Sequence, residues 1–167
     1  MKMNRIKDAR QAYKEANYRK VINLASQGLL ECGAENAVRG ELTFIRASAD
    51  YRLNNFYEAL ADYRIVINCE DLDPKYWTSS VLNMGVISFC LGEFEFSERC
   101  LDTYKSYENC DLKFSLAWDV SLDLIKGKIN DYSKLMSVYK AMSSKRSIVQ
   151  NFVCIICHEL KNFQLAT

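Results

Sequence analysis

A chain of 167 residues of which 49% are apolar is long enough to bury a core and is the size of one domain. One proline and six glycines are too few for a turn-rich β protein, so the composition predicts an all-α fold. A formal net charge of +1 supplies no overall attraction to nucleic acid or anionic lipid, and neither direct nucleic-acid binding nor membrane insertion is expected.

The first unit, 3–33, opens with Ile6, Ala9, Ala12, Tyr13 and Ala16 at the three- and four-residue spacing of a helix face. Asn17 supplies a turn, and Tyr18, Val21, Ile22, Ala25, Leu29 and Leu30 carry a second helical stripe that Gly33 ends. The second unit, 38–70, places Leu42, Ile45, Ala49 and Leu53 on one helix, Asn54-Asn55 at the turn, and Phe56, Ala59, Leu60, Tyr63 and Ile67 on the next. Asp73 is then a boundary and Pro74 the start of another helix, because proline lacks an amide hydrogen and disfavours helix in its predecessor.

In the third unit, 74–109, Trp77, Val81, Met84, Ile87 and Phe89 precede a turn at Gly92-Glu93, and Phe94, Leu101 and Tyr104 follow it. The fourth, 112–143, has Trp118, Leu122 and Ile125 before a turn expected at Asn130-Asp131, and Tyr132, Leu135, Val138 and Tyr139 after it. A closing helix over 147–165 completes one domain spanning 1–167, about nine helices in all.

These units share a step of 38 residues. It links Tyr18, Phe56, Phe94 and Tyr132, and it links Tyr13, Tyr51 and Phe89 until Gly127 breaks the series, which predicts a looser helix or a locally open groove there. Ala9, Ala47 and Gly85 form a third series, broken at Asp123. A constant period of this length predicts stacked supersecondary units.

Charge is uneven along the chain. Seven Lys or Arg face two acids from Met1 to Lys20 and again from Lys126 to Lys161, whereas fifteen acids face seven bases between Glu41 and Asp123. Solvated helix faces explain this most simply. The N-terminal MKMNRIKDARQAY lacks the apolar segment of a secretory signal, and seven scattered cysteines read as small buried residues of a reducing compartment, so a cytoplasmic location is expected.

At Leu91-Gly92-x-Phe94-x-x-Ser97 after Gly85, and at Ala47…Phe56-x-x-Ala59…Pro74, the pattern resembles the tetratricopeptide repeat. Small residues twelve apart, Ala47 with Ala59 and Gly85 with Ser97, match that family's close approach of two helices. The step of 38 exceeds the family period of about 34. The resemblance implies a right-handed superhelix of helical hairpins whose first helices line a concave groove for a peptide or helix of a protein partner.

Carried over slot by slot, the groove would be lined by Ile6, Arg10 and Tyr13, then Phe44, Ser48, Tyr51 and Arg52, then Leu82, Val86 and Phe89, continued by Val120 and Leu124. The family's clamp for a C-terminal carboxylate is not matched, since its slots hold Ile6, Arg10, Phe44, Ser48, Ser79 and Asn83. A plain packing role for Tyr13, Tyr51 and Phe89 between neighbouring helices competes with the groove.

Cys154-Ile155-Ile156-Cys157-His158 spells the attachment pattern of a c-type haem, but without export it reads as part of the closing helix, and no cofactor is expected. A second Cys or His pair at metal spacing is missing, as is a glycine-rich phosphate loop, so neither a metal site nor an enzyme is expected. In the closing helix Ile148, Phe152, Ile155 and Ile156 leave almost no polar side, so a cover is expected: a second copy of the chain in a homodimer, another protein, or further residues of the chain. The reading is a non-enzymatic interaction module, with a peptide- or ligand-sensing module of a larger regulator as the alternative.

Overall fold

The structure is a computed structural model that describes residues 2–32, 36–108 and 110–128, together with Ser133 and Ser137. Its seven helices are α1 (Lys2–Lys14), α2 (Tyr18–Glu31), α3 (Asn36–Arg52), α4 (Phe56–Val66), α5 (Pro74–Cys90), α6 (Phe94–Lys105) and α7 (Leu112–Ile125), and there is no strand among the described residues. The fold is all-α and built of repeated helical hairpins. Of the nine helices expected, the second helix of the fourth unit, apart from Ser133 and Ser137, and the closing helix lie outside the described residues. The chain divides into two compact units, Met1–Ile87 and Ser88–Thr167.

Three hairpins turn in the same way at the same step of 38. The turn residue has a positive φ each time: 55° at Ala16, 61° at Asn54 and 79° at Gly92. At these turns Asn17 donates its amide to Ala12 O, Asn55 to Asp50 O and Glu93 to Ser88 O, at 3.0, 2.9 and 2.8 Å. One residue earlier, the amides of Ala16, Asn54 and Gly92 reach Tyr13, Tyr51 and Phe89 O. Such bonds satisfy carbonyls that a helix end leaves orphaned. Asn17, Asn55 and Glu93 then serve as N-caps of the following helices, with φ of −88°, −79° and −82°.

A ring pair closes each turn. Tyr13 meets Tyr18 at 5.3 Å between centroids, Tyr51 meets Phe56 at 6.2 Å and Phe89 meets Phe94 at 5.5 Å. Each ring at the end of one helix thus packs on the ring that starts the next, within its own hairpin. Rings so arranged contribute about 0.5–1.5 kcal/mol beyond their buried area.

Gly127 is a different case from the looser helix expected of it. With φ of 68° it ends α7, its amide reaching Leu124 O and that of Lys128 reaching Asp123 O at 2.9 Å. The turn therefore falls three residues before the position that the step of 38 marks, and Leu124 takes the slot of Tyr13, Tyr51 and Phe89. The turn expected at Asn130-Asp131 lies outside the described residues.

In the first unit α2 packs against both α1 and α3, α3 against α4, and α1 also against α3. Small side chains permit this: Ala9, Ala47 and Ala59 are wholly buried. Gly28 of α2 is another point of close approach, since a Cβ there would lie 2.9 Å from Leu42 Cδ1 and 3.3 Å from Arg5 Cβ. One ion pair fastens three helices. Arg46 of α3 donates from Nε and Nη2 to the two carboxylate oxygens of Asp62 on α4, at 2.7 and 2.8 Å, and from Nη1 to Ser26 Oγ on α2 at 3.3 Å. Helix α5 starts at Pro74 as expected, and Asp73 Oδ1 accepts the Lys75 amide at 3.0 Å.

In the second unit α6 packs on α7 around Leu101, Phe114 and Trp118. Trp118 Nε1 donates to Ser97 Oγ at 2.9 Å, so the small residue on α6 also serves as a polar partner for the buried indole. Asp111 caps α7 by accepting the Phe114 amide at 3.1 Å.

Two outcomes follow for stability. Ala16 adopts a backbone conformation that costs a residue with a Cβ about 1 kcal/mol, so Ala16→Gly is expected to raise the urea midpoint, by up to about 1 kcal/mol of stability. Arg46→Ala is expected to cost about 2–4 kcal/mol in urea unfolding, because it strands the largely buried Asp62 carboxylate. The double variant Arg46→Met, Asp62→Leu should recover most of that loss; an equal loss in the double variant would show that the pair matters only through packing.

Candidate functional site

Helices α1, α3 and α5 are the first helices of successive hairpins, and their side chains meet along one face of the first unit. On α3 the residues are Glu41, Phe44, Ser48, Tyr51 and Arg52, a stripe at helical spacing. Arg10 of α1 ties the face together: its guanidinium pairs with Glu41, and Nη2 donates to Tyr76 Oη on α5 at 2.8 Å. The Arg10 side chain remains 53% exposed, so the pair contributes little energy but fixes where both ends lie.

Phe44 sits between two other rings. Its centroid lies 4.9 Å from that of Tyr76 and 5.9 Å from that of Tyr63, both edge-on, and it remains half-buried. Below it runs a polar chain. Asn83 Nδ2 donates to Tyr63 Oη at 2.8 Å, Tyr63 Oη lies 3.2 Å from Ser48 Oγ, and Ser48 Oγ donates to Phe44 O at 2.8 Å. With the Ser48 proton on Phe44 O, the Tyr63 hydroxyl is the donor to Ser48. Burial keeps that phenol protonated well above the ordinary tyrosine range. At the far end of α1 and α3, Arg52 donates from Nε to Tyr13 Oη at 3.3 Å.

The sequence-expected residues therefore separate into two groups. Arg10 and Arg52 are exposed, and Ile6, Tyr13, Phe44, Ser48, Tyr51 and Leu82 are half-buried in the first unit, where they leave surface open. Val86 and Phe89, expected in the same groove, are 0% and 1% exposed, and Val120 and Leu124 are 2% and 4% exposed. These four are core, with no side-chain surface to offer. Their slots follow the repeat, but the α5 and α7 faces that carry them are covered. Asn83 is committed to Tyr63 and Ser48 to Phe44 O, so neither is an open carboxylate donor.

Two members of the face, Glu41 and Tyr76, were not read from the sequence as site residues. Extending the stripe of Ser79 and Asn83 back by one helical turn reaches Tyr76, and that periodicity is the signal that could have found it. Ile148, Phe152, Ile155 and Ile156, expected to self-associate, and Cys154, Cys157 and His158 lie outside the described residues.

Among the described residues no group of three or more His, Cys, Asp or Glu side chains is placed to hold a metal ion. Burial pushes the Cys90 thiol up to about 11, so it carries little thiolate at neutral pH. No helix among the described residues is long and apolar enough to cross a membrane. No family model, no curated protein and no solved structure matches the chain.

The buried polar chain generates one expectation. Tyr63→Phe is expected to cost about 1–2 kcal/mol in urea unfolding, because Asn83 and Ser48 each lose a partner where water does not readily replace it. Stability unchanged by that substitution would mean the three groups are independently satisfied.

Proposed function

We propose that the chain is a non-enzymatic interaction module, a tetratricopeptide-like array that holds a peptide or helix of a protein partner against the α1–α3–α5 face. The observation that carries this reading is the bridge from Arg10 through Glu41 to Tyr76, beside the Phe44–Tyr76 ring pair. It aligns three successive first helices and holds half-exposed aromatic and aliphatic groups in fixed positions between them. A surface already ordered in this way loses little side-chain freedom on binding.

The identical turns at Ala16, Asn54 and Gly92 support the repeat reading, as do the buried small residues Ala47 and Ala59. In the superhelix proposed, this face is concave. Phe44, Tyr76 and Leu82 would receive apolar anchors from an amphipathic helix or an extended segment, and Arg10 and Arg52 would border them.

The test is selection of peptides from a displayed random library on the full chain, followed by affinity measurement on variants. Phe44→Ala and Tyr76→Ala are expected to weaken the selected peptides about tenfold or more. Tyr57→Ala, at a residue 71% exposed on α4 and outside this face, should leave them unchanged. Undiminished binding to both face variants, or a selection that yields no peptide, would overturn the proposal.

A further inference from the structure

We propose that Arg52 is an acid-recognition point of this face: the bound segment carries an Asp or Glu whose carboxylate is taken by the two terminal nitrogens of the Arg52 guanidinium. The inference rests on the interaction reading above and narrows it to a partner of one chemistry.

Three of the seven arginines in the first unit are shown paired with a carboxylate of the chain. Arg5 meets Glu31, Arg10 meets Glu41 and Arg46 meets Asp62. Arg52 meets a phenol instead. Its Nε donates to Tyr13 Oη, and among the described residues neither terminal nitrogen has a hydrogen-bond partner and no carboxylate pairs with it. The hydrogen bond to Tyr13 raises the guanidinium's pKa above its ordinary value. The nearest acid in sequence, Asp50, is buried and accepts from Asn55 Nδ2 at 2.9 Å.

This arrangement is a fork held by its stem. Fixing Nε on Tyr13 leaves the Nη1 and Nη2 edge pointing its two parallel N–H groups elsewhere, the pattern that matches both oxygens of a carboxylate. Because the Tyr13 bond holds Nε beforehand, less of the arginine's rotamer freedom is left to lose on binding. Lys14 occupies the corresponding final position of α1, 38 residues earlier, and it too has no carboxylate partner among the described residues. Among the described residues Lys14 and Arg52 thus leave two cations without a carboxylate partner where α1 and α3 finish, complementary to an acidic segment.

A cation in the last turn of a helix also complements the helix dipole, and Arg52 stands in the last turn of α3. That role needs only positive charge, whereas the proposed one needs the planar fork. The two are separated by Arg52→Lys, which keeps the charge and removes the fork.

The experiment uses the full chain and the peptides selected on it. The selected sequences are expected to be enriched in Asp and Glu over the starting library. For a chosen acidic peptide, Arg52→Ala should weaken binding about tenfold and Arg52→Lys several-fold, while the peptide's Asp→Asn or Glu→Gln counterpart should bind wild type and both variants alike. Thermal unfolding of each variant, expected to stay close to wild type because Arg52 is exposed, excludes loss through misfolding. Peptides without acidic enrichment, or acidic peptides that bind the Arg52→Ala variant as they bind wild type, would overturn this proposal and leave the interaction reading standing. An Arg52→Lys variant equal to wild type would reduce Arg52 to a helix-end charge and overturn it as well. Failure to select any peptide would overturn both readings together.

Discussion

The left-handed residue that ends each first helix is the constraint on which the rest of the structure depends. At Ala16, Asn54 and Gly92 the backbone reverses within three residues, 15–17, 53–55 and 91–93, and the last of the three caps the next helix. In the first two hairpins the helix end and the next helix start meet at that residue, so the second helix leaves at a fixed rotation relative to the first. Fixed rotation places Tyr13 on Tyr18 and Tyr51 on Phe56, and at the third turn Phe89 meets Phe94 in the same way. In the second hairpin it also turns Ala47 and Ala59, twelve residues apart, into the interior. Packing of one hairpin on the next, through α2 on α3 and α1 on α3, proceeds from faces that these turns have already aimed.

Much of this was legible because it is local chemistry repeated. Positive φ favours Gly and Asn, so Asn54 and Gly92 announced their turns, and Pro74 announced the start of α5. Ala16 did not, because alanine is a helix former and only the step of 38 marks it as a turn. Gly127 was misread for the opposite reason. The period was assumed to hold, so its glycine was placed inside a helix, although Gly is the residue that ends one.

The face was only partly legible, since helical spacing identifies a stripe without saying what covers it. Arg10, Phe44 and Leu82 share a register with Val86 and Phe89, yet the first three keep surface and the last two are core. Long-range polar pairs leave no periodic trace at all. Nothing in the local sequence joins Arg46 to Asp62 and Ser26, or Arg10 to Tyr76, because each depends on which helices become neighbours. The aromatic pairs show the complementary lesson: Tyr13 and Tyr51 pack inside their own hairpins, not simply between successive first helices.

The three-residue links within hairpins differ in kind from the links between them. Val66 to Pro74 and Lys105 to Leu112 leave gaps of unequal length, where no shared cap couples one helix axis to the next. Adding a residue at 15–17 would swing every side chain of α2 by roughly 100° about its axis and bury the wrong edge. The same addition at 67–73 need only lengthen a bridge. Length variation and grafted sequence thus have a natural home at the joints between hairpins, and the elbows inside them behave as rigid hardware.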